Sequence, residues 1–292
     1  MHLAVLSQNP HLYSTRRLVE AGRRAGHEMR VVDYLRCQLR VTPGRPDIRH
    51  RGESLGRLDA AIPRVPTSET RPGCAVVQQL ELMGVYTPNT AAGIERSRDK
   101  LRCFQLLAHE DVPMPVTAYG DSHREVRGLI EAVGGPPLVV KLLEGTQGVG
   151  VVLCETPHAA ESVIEAFRNL GAPFLVQQFI AESKGSDVRC LVVGERVVAS
   201  MMRTAAEGEF RSNVHRGGTA TRIEPTAREV DIAVRAAQTL GLGVAGVDLL
   251  RGEDGPLLIE VNSSPGLEGI ETATGVDVAG AIVRSVAKRA RG

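Results

Sequence analysis

The sequence predicts an α/β (α+β) fold divided among more than one compact unit, and three observations carry that prediction. Short apolar runs alternate with stretches of helical spacing through the first third of the chain. Four further strand candidates crowd its last third, where one long helical stretch precedes the third of them. At 292 residues the chain exceeds what one small core encloses. A length of roughly 100–200 residues per domain gives two or three units.

The elements follow in order. Leu3, Ala4, Val5 and Leu6 form an apolar run that ends at the polar Ser7-Gln8-Asn9-Pro10. Leu18, Val19, Gly22 and Ala25 then recur at helical spacing, and Gly26 is the stop. Strands are expected at 29–32 and 59–63, the second ended by Pro63, with helical composition over 74–83. Strands separated by helices give a small open sheet of parallel strands. The stretch 40–57, with Pro43, Gly44, Pro46, Gly52 and Gly56, is expected to meander at the surface, as a solvated loop or a basic contact for a partner.

Composition shifts near Pro88-Asn89. Ser97 is the expected N-cap of a helix running to about His109. Helical patterns recur at 122–133 and 157–170, and between them lie two apolar runs at 137–141 and 150–153. Further on, strands are expected at 188–193, 196–202, 244–250 and 256–261, with helices over 226–240 and from about Val276.

Bulk properties narrow the function. The 35 basic and 34 acidic residues leave a net charge of +1, so no overall field draws the protein to nucleic acid or membrane. The five cysteines, Cys37, Cys74, Cys103, Cys154 and Cys190, are scattered without a CxxC pair, which removes zinc spacing and points to reduced packing thiols. The N-terminus enters a strand at once, without the pattern of a signal peptide, so a cytoplasmic protein is expected.

Three segments carry chemistry. In 141–150 a lysine ends an apolar run, and Gly145, Gly148 and Gly150 precede another. Glycines let backbone N–H groups crowd round an anion, and Lys141 can reach the same anion as a point charge. Strand rather than helix follows, which excludes both a Walker A loop and a dinucleotide fingerprint. A plain glycine hairpin and a flap over phosphates both remain.

The second segment sets acids inside apolar strands. Asp248 lies between Val247 and Leu249, and Glu260 and Asn262 stand two apart. Residues i and i+2 share a strand face, so Glu260 and Asn262 project together while Ile259 and Val261 point to the core. A hairpin over 251–255 brings Asp248 beside them. Two carboxylates and an amide oxygen suit Mg²⁺ or Mn²⁺, the alternative being pairing with arginines on the sheet.

The third segment, 210–218, packs Arg211, Asn213, His215 and Arg216 beside paired glycines, with Arg203 upstream on a strand. This composition suits phosphate or carboxylate oxygens, or else a basic surface loop. The apolar run 174–180 is by itself a buried strand.

In this order the segments resemble the ATP-grasp superfamily, and more closely the RimK-type glutamate ligases. Leu12-Tyr13-Ser14, Ile62-Pro63-Arg64, Ser97-Arg98-Asp99-Lys100, 141–150, Arg211-Ser212-Asn213, His215-Arg216-Gly217-Gly218 and 260–269 carry the likeness. It implies an ATP-grasp fold: a Rossmann-like pre-ATP-grasp domain over 1–95, then two α+β lobes over 96–180 and 181–292 that clasp ATP. By the resemblance, Lys100 and Lys141 hold the phosphates, with Gly145, Thr146, Gln147, Gly148 and Gly150 closing over them. Gln178, where the family commonly has glutamate, and Phe179 form the adenine hinge. Asp187 takes the ribose, and Arg211, Ser212 and Asn213 line the triphosphate. Asp248, Glu260 and Asn262 bind two Mg²⁺ or Mn²⁺. Arg203, Arg211, Arg216 and Asn213 serve catalysis, and the turn after Asn262 shapes an acceptor pocket or simply ends the strand.

The activity implied is ATP-dependent addition of L-glutamate to the C-terminal tail of a small-subunit ribosomal protein, by a homo-oligomer, expected to be a tetramer. A ligase acting on a small molecule or carrier protein shares the same ATP half-site. A nucleotide-binding module without turnover is disfavoured by the complete residue set. A redox Rossmann enzyme is disfavoured because no glycine fingerprint follows Leu6.

Overall fold

The structure, a computed structural model, describes all residues except 123–124, 145–149, 207–208, 210–216 and 292. It begins with β1 (His2–Leu6), α1 (Tyr13–Arg24) and β2 (Glu28–Val32). Gly26 ends this first helix region at φ 76°, a left-handed conformation that glycine adopts without steric cost. Next come β3 (Cys37–Arg40), β4 (Asp47–His50), β5 (Glu53–Ser54), β6 (Ala60–Pro63) and α2 (Thr70–Leu82). Strands β2, β1 and β6 make the expected parallel sheet, in that order.

The stretch 40–57 is not a meander. Strands β3, β4 and β5 form an antiparallel sheet, and Ile48 is fully buried against Tyr34, Leu55 and Val77. One buried isoleucine among polar neighbours is enough to anchor the ribbon, and the glycine-rich composition conceals it.

The connecting region holds α3 (Ala91–Arg98) and α4 (Lys100–His109). Asp99, not Ser97, caps the second of these: its carboxylate accepts from the Arg102 N–H at 3.0 Å. Ser97 lies inside α3, where its hydroxyl donates to the Ile94 carbonyl. Two helices therefore stand where one was expected, and the break at Asp99 sets Lys100 at the start of a new helix.

The central unit contains β7 (Thr117–Ala118), α5 (Val126–Ala132), β8 (Leu138–Leu142), β9 (Val151–Cys154), α6 (Pro157–Asn169) and β10 (Phe174–Gln178). Its antiparallel sheet runs β7-β10-β8-β9, and Leu129, Ile130, Ala160 and Ile164 of the two helices cover one face.

The last unit contains β11 (Ser186–Val193), β12 (Arg196–Thr204), β13 (Thr219–Arg222), α7 (Ala227–Leu240), β14 (Val244–Gly252), β15 (Gly255–Asn262), α8 (Glu268–Thr274) and α9 (Val278–Arg289). Helix α7 begins with a complete capping box between Thr226 and Glu229 and ends at Gly241 in the left-handed region. The C-terminal helical region expected from Val276 is preceded by the extra helix α8.

The five-stranded antiparallel sheet, β13-β12-β11-β14-β15, is covered on both faces. Val188, Cys190, Val192, Ala245, Val247 and Leu249 pack against α7 and α4. The alternating Leu191, Val193, Ala199, Met201 and Val244 pack with α8 and α9, and that core continues into Leu3, Val5 and Ile62 of the N-terminal sheet. Asn89, at the composition shift, is buried and ties the junction down: its amide donates to the Val244 and Ser263 carbonyls at 2.8 and 2.7 Å. Among the described residues no helix is long and apolar enough to cross a membrane.

Candidate active site

The face of the five-stranded sheet that carries Leu191 and Met201 turns polar toward one end. Strand periodicity puts Asp187 and Arg189 in line with Leu191, Arg203 in line with Met201, and Asp248 in line with Gly246 and Val244. Register then sets Asp187 opposite Arg203, Arg189 opposite Asp248, Asp248 opposite Glu260, and Gly246 opposite Asn262. A row of charge thus crosses four strands.

Within that row the buried acids are matched by arginines. Asp187 and Arg203 are each 4 % exposed and form a bidentate pair at 2.6 and 2.5 Å. Asp248, 1 % exposed, accepts from Arg189 at 2.7 and 2.6 Å and from Arg203 at 2.9 Å. Burial alone would raise the Asp248 pKa, but Arg189 and Arg203 more than reverse that and hold it below the ordinary value. Burial likewise works against the Arg203 charge, and Asp248 and Asp187 override it, so that guanidinium is held well above its usual range.

Glu260 differs. It is exposed, and its carboxylate has no hydrogen-bond or ion-pair partner among the described residues. The Asn262 side chain also lacks a partner among them, and its Nδ2 is buried. A bulge aims this pair. Asp248 pairs with Glu260 but Leu249 pairs with Leu258, which leaves Ile259 as the extra residue. The expected alternation is corrected accordingly: Leu258 and Val261, three apart, enter the core, and Ile259 is only partly buried.

Facing this sheet, β8 supplies Lys141, whose Nζ donates to Gln177 Oε1 at 2.5 Å, while Gln177 donates in turn to the Thr117 hydroxyl. Lys100 Nζ donates to the Leu143 carbonyl at 2.8 Å. Burial pulls Lys141 down to about 8, Glu260 resists the fall, and Lys100 adds to it. Lys100 is lowered too, by burial first and against the pull of Glu260. Arg98, Cys103 and Arg203 feel the same carboxylate. Glu260 is therefore the negative charge shared by both lysines across the space between the two sheets.

The strands flanking 145–149 are fixed at both ends. The Leu142 N–H donates to the Gly150 carbonyl at 2.8 Å, and the Leu143 N–H to the Pro173 carbonyl at 2.8 Å. Gly150 has φ 72°, and a Cβ there would lie 2.5 Å from Leu142 Cδ1. Gln178 is exposed at the end of β10, its N–H donating to the Val116 carbonyl and its side chain accepting from the Val116 N–H at 3.4 Å. Phe179, next to it, is half-buried.

Of the residues singled out, the structure gathers Lys100, Lys141, Glu260 and Asn262 toward one space. It commits Arg203, Asp187 and Asp248 to one another and to Arg189. Gly145, Thr146, Gln147, Gly148, Arg211, Ser212, Asn213 and Arg216 lie outside the described residues. Two participants escaped sequence reasoning. Arg189 carries the signal that flagged Asp248, a charge inside an apolar strand. Gln177, the partner of Lys141, carries none, because an amide in a run that also holds Gln178 marks no role.

The residues present fit the divalent ions that the acid–amide set suggests. Glu260 and Asn262 offer unpartnered hard oxygen donors on one strand face, which fits Mg²⁺ or Mn²⁺ completed by phosphate and water. Asp248 is less free, since the oxygens of its carboxylate already accept from two arginines. Among the described residues no cluster of three or more His, Cys, Asp or Glu could hold a metal ion.

Comparison with known proteins covers nearly the whole chain. Residues 1–94 match the RimK PreATP-grasp domain and residues 97–286 the RimK-like ATP-grasp domain. A protein of Trichodesmium erythraeum named "Probable alpha-L-glutamate ligase" is 57% identical over 288 residues, covering 99% of this chain and 96% of the relative. One of the same name from Alkalilimnicola ehrlichii is 57% identical over 291 residues, covering 100% and 97%. The RimK domain ATP-grasp protein of Sphaerobacter thermophilus is 27% identical with a TM-score of 0.73, covering 98% of this chain and 99% of its own. The ATP-grasp ligase PsnB, solved with a precursor peptide and AMPPNP, shares the fold at a TM-score of 0.78 and 22% identity, covering 100% and 98%. With two RimK family models matched over residues 1–94 and 97–286, and relatives of 57% identity along its whole length, the chain belongs to the RimK family of ATP-grasp ligases.

Proposed function

We propose that this protein joins L-glutamate to the C-terminal carboxylate of a small-subunit ribosomal protein, consuming ATP and releasing ADP and phosphate. The observation that carries the ATP half is the convergence of Lys100 and Lys141 on Glu260, beside the unpartnered Asn262. Two lysines facing one carboxylate across a gap suit a polyphosphate and a divalent ion between them. The name shared by relatives with 57% identity supports glutamate as the amine.

A carboxylate resists amine attack because its oxygen leaves poorly. In the proposed course, an acceptor carboxylate oxygen attacks the γ-phosphorus of ATP, the bond to the β-phosphate oxygen breaks, and ADP departs. The glutamate amine then attacks the acyl carbon of the resulting acylphosphate. Phosphate leaves with the C–O bond electrons, and the amine gives up a proton as the amide forms. Lys100 and Lys141 would hold the β- and γ-phosphates, and Glu260 and Asn262 would hold Mg²⁺ or Mn²⁺. Such an ion, when bound, neutralises charge on the transferred phosphoryl group.

In this reading Arg203 and Arg189 act one step back, by holding Asp187 and Asp248 in fixed positions at the base of the site. Arg211, Asn213 and Arg216 are assigned to the reacting phosphoryl and acyl oxygens, and Gln178 and Phe179 to the adenine. The 96–180 and 181–292 lobes, beside the 1–95 domain, would clasp the nucleotide and keep water from the acylphosphate.

The test is direct. The purified protein is incubated with ATP, Mg²⁺, glutamate and a mixture of ribosomal proteins, and the products are weighed. Addition of glutamyl residues to one small-subunit protein, with matching ADP, is expected. ADP formation only with a small-molecule acceptor would replace the ribosomal acceptor, and no glutamate-dependent ADP with any acceptor would end the ligase reading.

A further inference from the structure

The N-terminal sheet has its topological switch between β1 and β6, because the chain leaves β1 for β2 on one side and returns to β6 on the other. The crevice beyond the carboxyl ends of such strands is where open α/β sheets bind ligands. Arg64 stands there, directly after β6, with its N–H donating to the Leu6 carbonyl at 2.9 Å. Its guanidinium crosses to the turn that follows Asn262, donating to the Pro265 carbonyl at 2.7 Å and the Ser264 carbonyl at 3.4 Å. Arg98, at the end of α3, lies close by, with Nη2 donating to the Val65 carbonyl at 2.7 Å and Nη1 to the Thr67 hydroxyl.

Two features set these arginines apart from Arg189 and Arg203. Neither has a carboxylate within ion-pair distance among the described residues, although each is half-buried. Burial, reinforced by the charge of Arg98, draws the Arg64 guanidinium down to about 10, and burial lowers Arg98 as well. Second, four buried polar atoms nearby have no hydrogen-bond partner among the described residues: Arg98 Nε, Asn262 Nδ2, Ser263 Oγ and Ser264 Oγ. Buried polar groups are ordinarily bonded and buried charges ordinarily paired. All four of these atoms are able to donate. Two cations and a set of idle donors ask for one kind of occupant, an anion rich in acceptors.

We propose that Arg64 and Arg98, with the hydroxyls of the 263–264 turn, form a binding pocket for a substrate carboxylate beside the Glu260–Asn262 strand end. Planar guanidiniums favour a carboxylate, which they can bind through two parallel hydrogen bonds. The pocket continues the strand that carries Glu260 and Asn262, so a carboxylate held in it would lie next to the phosphoryl-transfer site. The ligase reading supplies two owners for that group, free glutamate and the acceptor C-terminus. The identity of the owner rests on that reading, whereas the presence of the pocket does not.

The test uses the full-length protein and the variants Arg64→Gln and Ser264→Ala, each checked for an unchanged melting profile. Steady-state ADP release is measured with glutamate, acceptor and ATP varied in turn. Loss of a charged hydrogen-bond partner predicts an increase on the order of 10- to 100-fold in one KM for Arg64→Gln. A smaller rise in the same KM is expected for Ser264→Ala, and the ATP KM should stay unchanged in both. A rise confined to glutamate, with lost preference over glutamine, assigns the pocket to the amino acid. A rise confined to the acceptor assigns it to the protein C-terminus. Unchanged KM values for both would overturn the pocket.

In parallel, glutarate is titrated into the wild-type protein and Arg64→Gln and followed by NMR, which needs no turnover. Saturable binding lost in the variant supports the pocket even if the wild type releases no ADP, an outcome that would count against the ligase reading alone. Absence of glutarate binding together with absence of turnover would overturn both.

Discussion

Arg203→Met tests whether the buried charge row holds up the base of the site. Arg203 is 4 % exposed and gives two hydrogen bonds to Asp187 and one to Asp248. Methionine keeps much of the stem volume and removes the charge. Asp248 retains its bidentate Arg189, so the damage falls chiefly on Asp187, a carboxylate that is itself 4 % exposed. Breaking a buried pair by removing one partner costs about 3–5 kcal/mol. Exposed pairs are worth about 0–1 kcal/mol. Equilibrium urea unfolding of Arg203→Met should therefore show a loss near the buried figure, and adding Asp187→Asn should recover part of it. A loss under about 1 kcal/mol would show that the row behaves as a surface pair and would refute the positioning role given to Arg203.

Three further outcomes follow from the geometry. Lys141 titrates near 8 in the nucleotide-free protein because burial disfavours its ammonium form, so the charge that meets phosphate is present below that pH and lost above it. Affinity for a fluorescent ATP analogue should weaken as pH rises between about 7 and 9, and a flat profile would contradict it. Gly150→Ala should destabilise by about 1–3 kcal/mol in thermal or urea unfolding, since φ 72° and the approach to Leu142 both exclude a Cβ; a neutral effect would remove the constraint on the flap's flank. Asp248 is an acid with a depressed folded-state pKa, so its pairing stabilises above the ordinary carboxylate value and is lost as pH falls through the lowered one. Asp248→Asn should accordingly flatten the acid limb of the stability curve, and an unchanged limb would count against the pairing.

Legibility in the sequence varied with the kind of signal. An acid inside an apolar strand is costly without a purpose, so Asp248 and Glu260 stood out, and period-2 reasoning put Glu260 and Asn262 on one face. The same reasoning misplaced Ile259, because a bulge adds a residue to one strand and leaves no mark in the residue pattern. The antiparallel sheet within 37–54 was hidden by glycine, proline and arginine, which read as loop although Ile48 is fully buried. Both Ser97 and Asp99 have N-cap chemistry, and only the backbone shows that Asp99 is extended at ψ 97° while Ser97 is helical. Whether Asp248 would meet a metal or arginines was open in the sequence, since the answer depends on Arg189 and Arg203 from neighbouring strands. Arg64 and Arg98 stood inside family-like segments without a role, because pairing, or its absence, is a property of three dimensions.

In the proposed function, Glu260 and Asn262 hold a divalent ion against phosphates gripped by Lys100 and Lys141. Glu260→Ala and Asn262→Ala should keep the wild-type melting profile and far-UV circular dichroism while Mg²⁺-dependent ADP release falls to background. Retention of metal-dependent turnover in either folded variant would contradict the account.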